Sequence, residues 1–243
     1  MRGSSSSGAC LGVFALASVV ACSSGSSPAT GAACTTNPDT TDDGGTDVNP
    51  DGVAYPTGCY GHTARSGSTP GSVLQNFKFQ GYLNGDTTQP LTTISLADYY
   101  DPCNKRYKLI HLSAAAIWCV ACSGETDDFV AAKSSLDAQQ IVVLQALDEG
   151  AVEGTPATVS DLDYWISSHK SNFTEMLDPG DQNFAGFFNL AGLPWNADVD
   201  PRTMEILDSS EGYSGSVQGE VQGGLNAVMS SPMYPVPSSA MCP

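Results

Sequence analysis

The sequence predicts an α/β fold, a central mixed β-sheet flanked by helices, preceded by a disordered N-terminal tether. Three observations carry that expectation. Apolar runs that read as buried strands alternate with helix-like segments from about Lys108 to Leu177, the pattern of a layered α/β domain. Two short strands around an Asp200-Pro201 turn follow, then a helix, so the sheet should also contain antiparallel members. From Ser23 to about Pro56 the composition is Ser, Thr, Gly, Pro and Asp with almost nothing to bury, which reads as a flexible linker.

In chain order, Asn76 to Leu83 alternates Phe77, Phe79 and Tyr82 as an edge-type strand, and Ser95 caps a helical turn reaching Tyr100. Lys108 to Ala115 is a central buried strand, followed by a helix from Cys119 to about Gln139. Gln140 to Asp148, with Ile141, Val142, Val143 and Leu144, is a second buried strand. Ser160 is read as the cap of a helix carrying Leu162, Trp165 and Ile166. Phe173 to Leu177 is a short strand, Gln182 to Phe188 a helical turn, and Asn196 to Val199 pairs antiparallel with Thr203 to Leu207. Gly215 to Met229 closes the chain as a helix.

The N-terminus carries processing signals. Arg2 precedes an apolar run, Leu11 to Ala21, too short to span a bilayer but of the length of a signal-peptide core. Val19-Val20-Ala21-Cys22 resembles the lipobox of bacterial lipoproteins, in which the cysteine is acylated and begins the mature chain. The expected organisation is a signal peptide over 1–21, a linker lipidated at Cys22 over 22–59, and one domain over 60–243. Ser23 after Cys22 resembles the outer-membrane sorting signal of Gram-negative lipoproteins, so the expected place is the cell envelope, anchored in the outer membrane.

Net charge is −17, and loss of Arg2 with the signal makes the mature chain one unit more negative. Nucleic acid is excluded as a natural partner, and an anionic lipid surface would repel the domain. Eight cysteines in an exported chain favour disulfides over metal sites. Cys10 leaves with the signal and Cys22 takes lipid, while Cys34, Cys59, Cys103 and Cys242 allow three pairings among which the sequence does not choose.

The chemistry concentrates at Trp118-Cys119-Val120-Ala121-Cys122, a Cys-x-x-Cys where a buried strand opens into a helix. The first N–H groups of a helix have no intrahelical partner and form the positive end of its dipole. A sulfur there ionises more easily than a free thiol, so Cys119 is the expected nucleophile. Cys122, one turn further on the same face, is the expected resolving thiol. A zinc site would need a second ligand pair. The scattered cysteines and His62, His111 and His169 supply none. His111, inside the apolar strand, reads as a satisfied core histidine.

These motifs resemble the thioredoxin-like superfamily, and within it the TlpA-like, redoxin-type, membrane-anchored thiol-disulfide oxidoreductases. The resemblance spans roughly Gly71 to Met229 and rests on Trp118-Cys119-x-x-Cys122 with Glu125 three residues beyond, and on Gly192-Leu193-Pro194 before a strand. It implies that Pro194 is cis and faces the dithiol, leaving the Leu193 main chain to pair with an extended client. It gives Glu125 a role in moving the Cys122 proton, against the alternative of a solvated first-turn acid. Trp118 is expected to shield the disulfide edge, and Trp195 either walls the groove or packs. Ser113 stands where thioredoxins proper keep a buried aspartate. No dissociable cofactor is implied.

Partners would be exported proteins with thiols or disulfides, the membrane through Cys22, and an unidentified electron donor or acceptor. The Val120-Ala121 dipeptide supplies no extra cation or donor, which points to a site less oxidising than the DsbA type. Alternatives are a non-catalytic binding module with a structural disulfide, a peroxidatic redoxin, and a copper-delivery relative. Ala116 stands in place of the peroxidatic redoxins' activating threonine, and the cysteine spacing is one short of the copper-delivery pattern.

Overall fold

The computed structural model describes residues 47–55, 68–189 and 192–230. The expected signal peptide, the expected lipidation site Cys22, and Cys34, Cys59 and Cys242 lie outside the described residues. Cys103 is disulfide-bonded.

Two long strands form the centre: β3, Leu109–Ala116, and β4, Ile141–Glu149. Every residue of β3 is buried, as expected of a strand covered on both faces, and the two pair in parallel. Between them runs α1, Val120–Ala138, whose buried positions Cys122, Glu125, Thr126, Phe129, Ala132 and Leu136 recur at three- and four-residue spacing and form one stripe. The helix ends at Ala138 with Gln139 as its C-cap, and the next residue, Gln140, takes a positive φ of 60°. Phe129 packs edge-on to Phe173 and tilted on His111, filling the space between helix and sheet.

The second crossover helix, α2, spans Val159–His169. Its cap is Thr158, two residues before the expected Ser160. Thr158 and Asp161 form a reciprocal capping box, which satisfies two backbone donors at once. After α2, β5, Thr174–Leu177, pairs in parallel with β4. On its far side β1, Lys78–Tyr82, runs antiparallel, and β2, Thr92–Ser95, adds an outer strand that the sequence pattern does not predict. At four residues, with Thr92 exposed, β2 is too short to show an alternation. Ser95 caps the expected turn, here a 3-10 helix over Leu96–Tyr99. Gln182 to Phe187 form hydrogen-bonded turns rather than a helical segment.

On the other side of β3 lie β6, Trp195–Asp200, and β7, Glu205–Glu211, both antiparallel, and α3, Val217–Ser230, ends the described chain. The β7 strand runs four residues past the expected Leu207. The sheet order is β2-β1-β5-β4-β3-β6-β7, a seven-stranded mixed sheet.

Alternation along β6 splits its side chains between two environments. Trp195 joins Phe184, Phe187 and Phe188, with ring centroids 5.3 to 5.5 Å apart. Trp195 therefore packs in the core, 1 % exposed. Asn196 and Asp198 point to the opposite face, toward α1 and α3, and are buried there.

One expectation fails over residues 47–55. Tyr55 is buried against Tyr100, and its hydroxyl donates to the Leu74 carbonyl; Asn49 Nδ2 donates to the Tyr100 carbonyl at 2.9 Å. An Asp47–Lys78 ion pair adds to this. Tyr55, the only aromatic of the low-complexity segment, brings enough apolar area to dock its end of the linker.

Candidate active site

Cys119 is the N-cap of α1, and its sulfur accepts from the Cys122 N–H at 3.1 Å. The pair is closed as a disulfide with Cα atoms 5.2 Å apart. Cys119 is 5 % exposed and Cys122 fully buried, whereas the intervening Val120 stands in solvent. When the disulfide opens, a thiolate on Cys119 would sit among the unpaired N–H groups of the first turn, which favour negative charge.

The Leu193–Pro194 peptide is cis. Because Trp195 pairs with Ala114, Pro194 comes beside the C-terminal end of β3, the end from which Cys119 leaves the sheet. Gly192 lies against the carboxylate end of the exposed Glu211 side chain. Trp118 is half-buried, and its indole donates to Glu149 Oε2 at 2.6 Å, at the end of β4. Glu149 also accepts from the Gly154 N–H, so the indole is tied to the loop after β4.

Glu125 is fully buried, one turn beyond Cys122 on the inner stripe of α1, so the reading of a solvated first-turn acid is overturned. Ser113 Oγ donates to its Oε2 at 3.0 Å, and Asn196 Nδ2 to its Oε1 at 2.7 Å. Burial pushes the carboxyl up to about 7, against the opposing pull of His111 and of the two hydrogen bonds. A group poised there can hold a proton or release it near neutrality.

The polar side chains continue in both directions. Gln145 Nε2 donates to Ser113 Oγ, while Gln145 Oε1 accepts from Trp165 Nε1 and shares the single hydroxyl hydrogen of Thr126 with the Cys122 carbonyl, each 2.9 Å from Thr126 Oγ1. On the other side Asn196 Oδ1 faces His111 Nε2 at 3.2 Å, and His111 Nδ1 faces Asp198 Oδ1 at 2.8 Å. Burial pulls the imidazole down, but the hydrogen bond and charge of Asp198, with Glu125 and Glu220, outweigh it and raise its pKa. His111 is satisfied within the core, as the sequence suggests, but it is also wired to Glu125.

The structure brings Cys119, Cys122, Glu125 and Ser113 together where β3 leads into α1, with Pro194 immediately before the neighbouring strand β6. Asn196, Asp198 and Gln145 belong to no motif and do not stand out in the sequence. The available signal was the run Trp-Asn-Ala-Asp-Val-Asp in β6, beside a strand carrying a lone histidine. A cavity of about 370 Å³ lined by Tyr99, Arg106, Tyr107 and Lys133 opens at the N-terminal ends of β3 and β4, remote from the dithiol.

Strand order, the crossover helix and a cysteine pair at the start of that helix define a thioredoxin-like fold. Solved structures similar to it include a secreted thiol-disulfide isomerase from Corynebacterium glutamicum, at 15 % identity over 64 % of this chain and 85 % of that one, with a TM-score of 0.50. An AhpC from Enterococcus faecalis matches at 17 % identity over 66 % of this chain and 92 % of that one, TM-score 0.49. A secreted disulfide oxidoreductase from Mycobacterium tuberculosis, homologous to DsbE of E. coli, matches at 15 % over 61 % and 95 %, TM-score 0.43. No family model matches the chain, and neither does any curated protein.

Proposed function

We propose that this protein is a thiol-disulfide oxidoreductase of the bacterial cell envelope, held to the outer membrane by lipid on Cys22, that exchanges disulfides with exported proteins. The observation that carries the reading is the Cys119–Cys122 pair closed across the first turn of α1, with the buried Glu125 carboxyl one turn further along the same face. In the reducing direction the Cys119 thiolate attacks a client disulfide, forming a mixed disulfide and releasing one client thiolate. Cys122 then gives its proton to Glu125, and its thiolate displaces the second client sulfur from Cys119. Two electrons pass from the pair to the client, and the reverse sequence oxidises a client dithiol. An electron donor or acceptor must reset the pair. An extended client segment pairs with the main chain at Leu193, before the cis Pro194.

The test is the fate of clients on single-cysteine variants. Cys122→Ser should accumulate mixed disulfides with envelope proteins, and Cys119→Ser should form none. Normal turnover by Cys119→Ser would end the mechanism. The competing reading, a binding module with a permanently closed disulfide, draws on the low exposure of Cys119. It predicts a pair that stays oxidised below roughly −300 mV, whereas a thioredoxin-type reductant lies near about −270 mV.

A further inference from the structure

The buried polar chain behind Glu125 has a charge assignment that follows from donor and acceptor chemistry. Asn196 donates through Nδ2 to Glu125 Oε1, so its other amide atom, the acceptor Oδ1, faces His111 Nε2. That ring nitrogen must carry hydrogen to make the contact. The other ring nitrogen, Nδ1, faces a carboxylate oxygen of Asp198, so it carries hydrogen as well. With both nitrogens protonated, His111 is an imidazolium, 1 % exposed, with Asp198 itself 5 % exposed.

The surroundings are arranged for that charge. Asp198 reaches the ring from β6, Glu125 acts on it from α1 and Glu220 from α3, while β4 sets only Val143 beside it in register. The Phe129 ring from α1 lies against the imidazole. Glu125, in turn, meets Ser113 from β3 and Asn196 from β6, and feels the charges of His111 and Glu220. The Tyr213 hydroxyl, hydrogen-bonded to Asp128, lies within electrostatic reach of Glu125 and Glu220. Three carboxyl groups thus share a single buried cation. A cavity of about 70 Å³, lined by His111, Asn196, Asp198, Asp208, Ser210 and Glu220, adjoins the ring, and Asp208 and Ser210 are exposed.

We propose that His111 is a positioning residue for the dithiol chemistry: clamped as an imidazolium by Asp198, it holds Glu125, through the Asn196 amide, in the ionised form that accepts the Cys122 proton. The proposal rests on the oxidoreductase reading above. The proton balance is simple: Cys122 loses its thiol proton, Glu125 gains it as a carboxylic acid on Oε2, and the Ser113 hydroxyl turns to accept from it. His111 keeps both its protons throughout. Its charge opposes that of Glu125, so its removal leaves buried carboxylates without their cation and Glu125 protonated to higher pH.

The experiment is a pH titration of the Glu125 carboxyl by infrared difference spectroscopy on the full chain, assigned by its loss in Glu125→Gln, alongside the pH profile of mixed-disulfide resolution. His111→Gln should raise both the Glu125 titration and the acid limb of the profile by at least about one pH unit, a tenfold loss of rate below that limb. Asp198→Asn, which weakens the hold on the imidazolium, should shift both in the same direction and serves if His111→Gln fails to fold. Phe129→Leu, which alters packing beside the ring but no charge, should leave the Glu125 titration in place. An unshifted Glu125 in a folded His111→Gln or Asp198→Asn protein overturns the proposal even where exchange is normal. A wild-type chain that exchanges no disulfides defeats the oxidoreductase reading instead, while the infrared titration still reports the coupling.

Discussion

Glu125→Gln should make this protein more stable at alkaline pH and less active. The wild-type carboxyl is pushed from an ordinary 4.5 up to about 7 by burial. A raised acid favours the folded state fully below its unfolded pKa and loses that advantage as pH rises through the folded one. Each tenfold change in proton affinity between the folded and unfolded states is worth about 1.4 kcal/mol, so ionisation of Glu125 between pH 4.5 and pH 8 costs the wild type about 3 kcal/mol. An amide has no charge to bury. Its oxygen can accept from Asn196 Nδ2, and its nitrogen can donate to Ser113 Oγ, so the cavity and most of the hydrogen bonding are kept. Asp148, Glu175 and Asp181 also carry raised pKa values, but they titrate in both proteins and cancel in the difference.

The assay is thermal unfolding of the oxidised wild type and variant at the two pH values. For a domain of this size the gap in Tm should widen in favour of the variant by roughly 6–12 °C on going from pH 4.5 to pH 8. Mixed-disulfide resolution in the variant should slow by roughly 10²- to 10⁴-fold, the usual contribution of a positioned proton acceptor. A Tm gap that is the same at both pH values would refute the reasoning, because Glu125 would then not be titrating as a buried, poised acid.

Gly224→Ala looks helpful from the sequence, since alanine in a helix interior is favoured over glycine by about 1 kcal/mol. The structure predicts the opposite, because a Cβ at Gly224 of α3 would collide with the Asp198 carboxylate. Overpacking of about 1–3 kcal/mol should win, visible as a lowered urea midpoint, and an increase would contradict the packing. Replacing Cys22 by Ser should release the protein from membranes; a variant that still sediments with them would remove the lipid anchor from the proposal.

Sequence alone determined what local chemistry determines. Continuous apolar runs identify β3 and β4 because strands covered on both faces have no polar side. The strand-to-helix junction places Cys119 at a helix start, and the i to i+3 spacing puts Cys122 on its inner face. These are separations of a few residues, within which backbone geometry leaves little choice. The cis state of Pro194 was implied by motif resemblance and is present.

What tertiary structure decided is which faces meet. Alternation in β6 separates Trp195, Ala197 and Val199 from Asn196 and Asp198. It does not say which set sees water, and a polar set ordinarily would. Here α1 and α3 both contact that side of the sheet, so the polar set is buried against Glu125 and His111, residues 71 and 87 positions away in sequence. The same holds at the N-terminus, where composition reads as linker but Tyr55 and Asn49 find partners at Tyr100 and Leu74. For Glu125 the sequence leaves two readings open, a proton carrier for Cys122 and a solvated first-turn acid, and tertiary structure makes it a buried acid, because its pKa depends on how much water the neighbouring elements exclude.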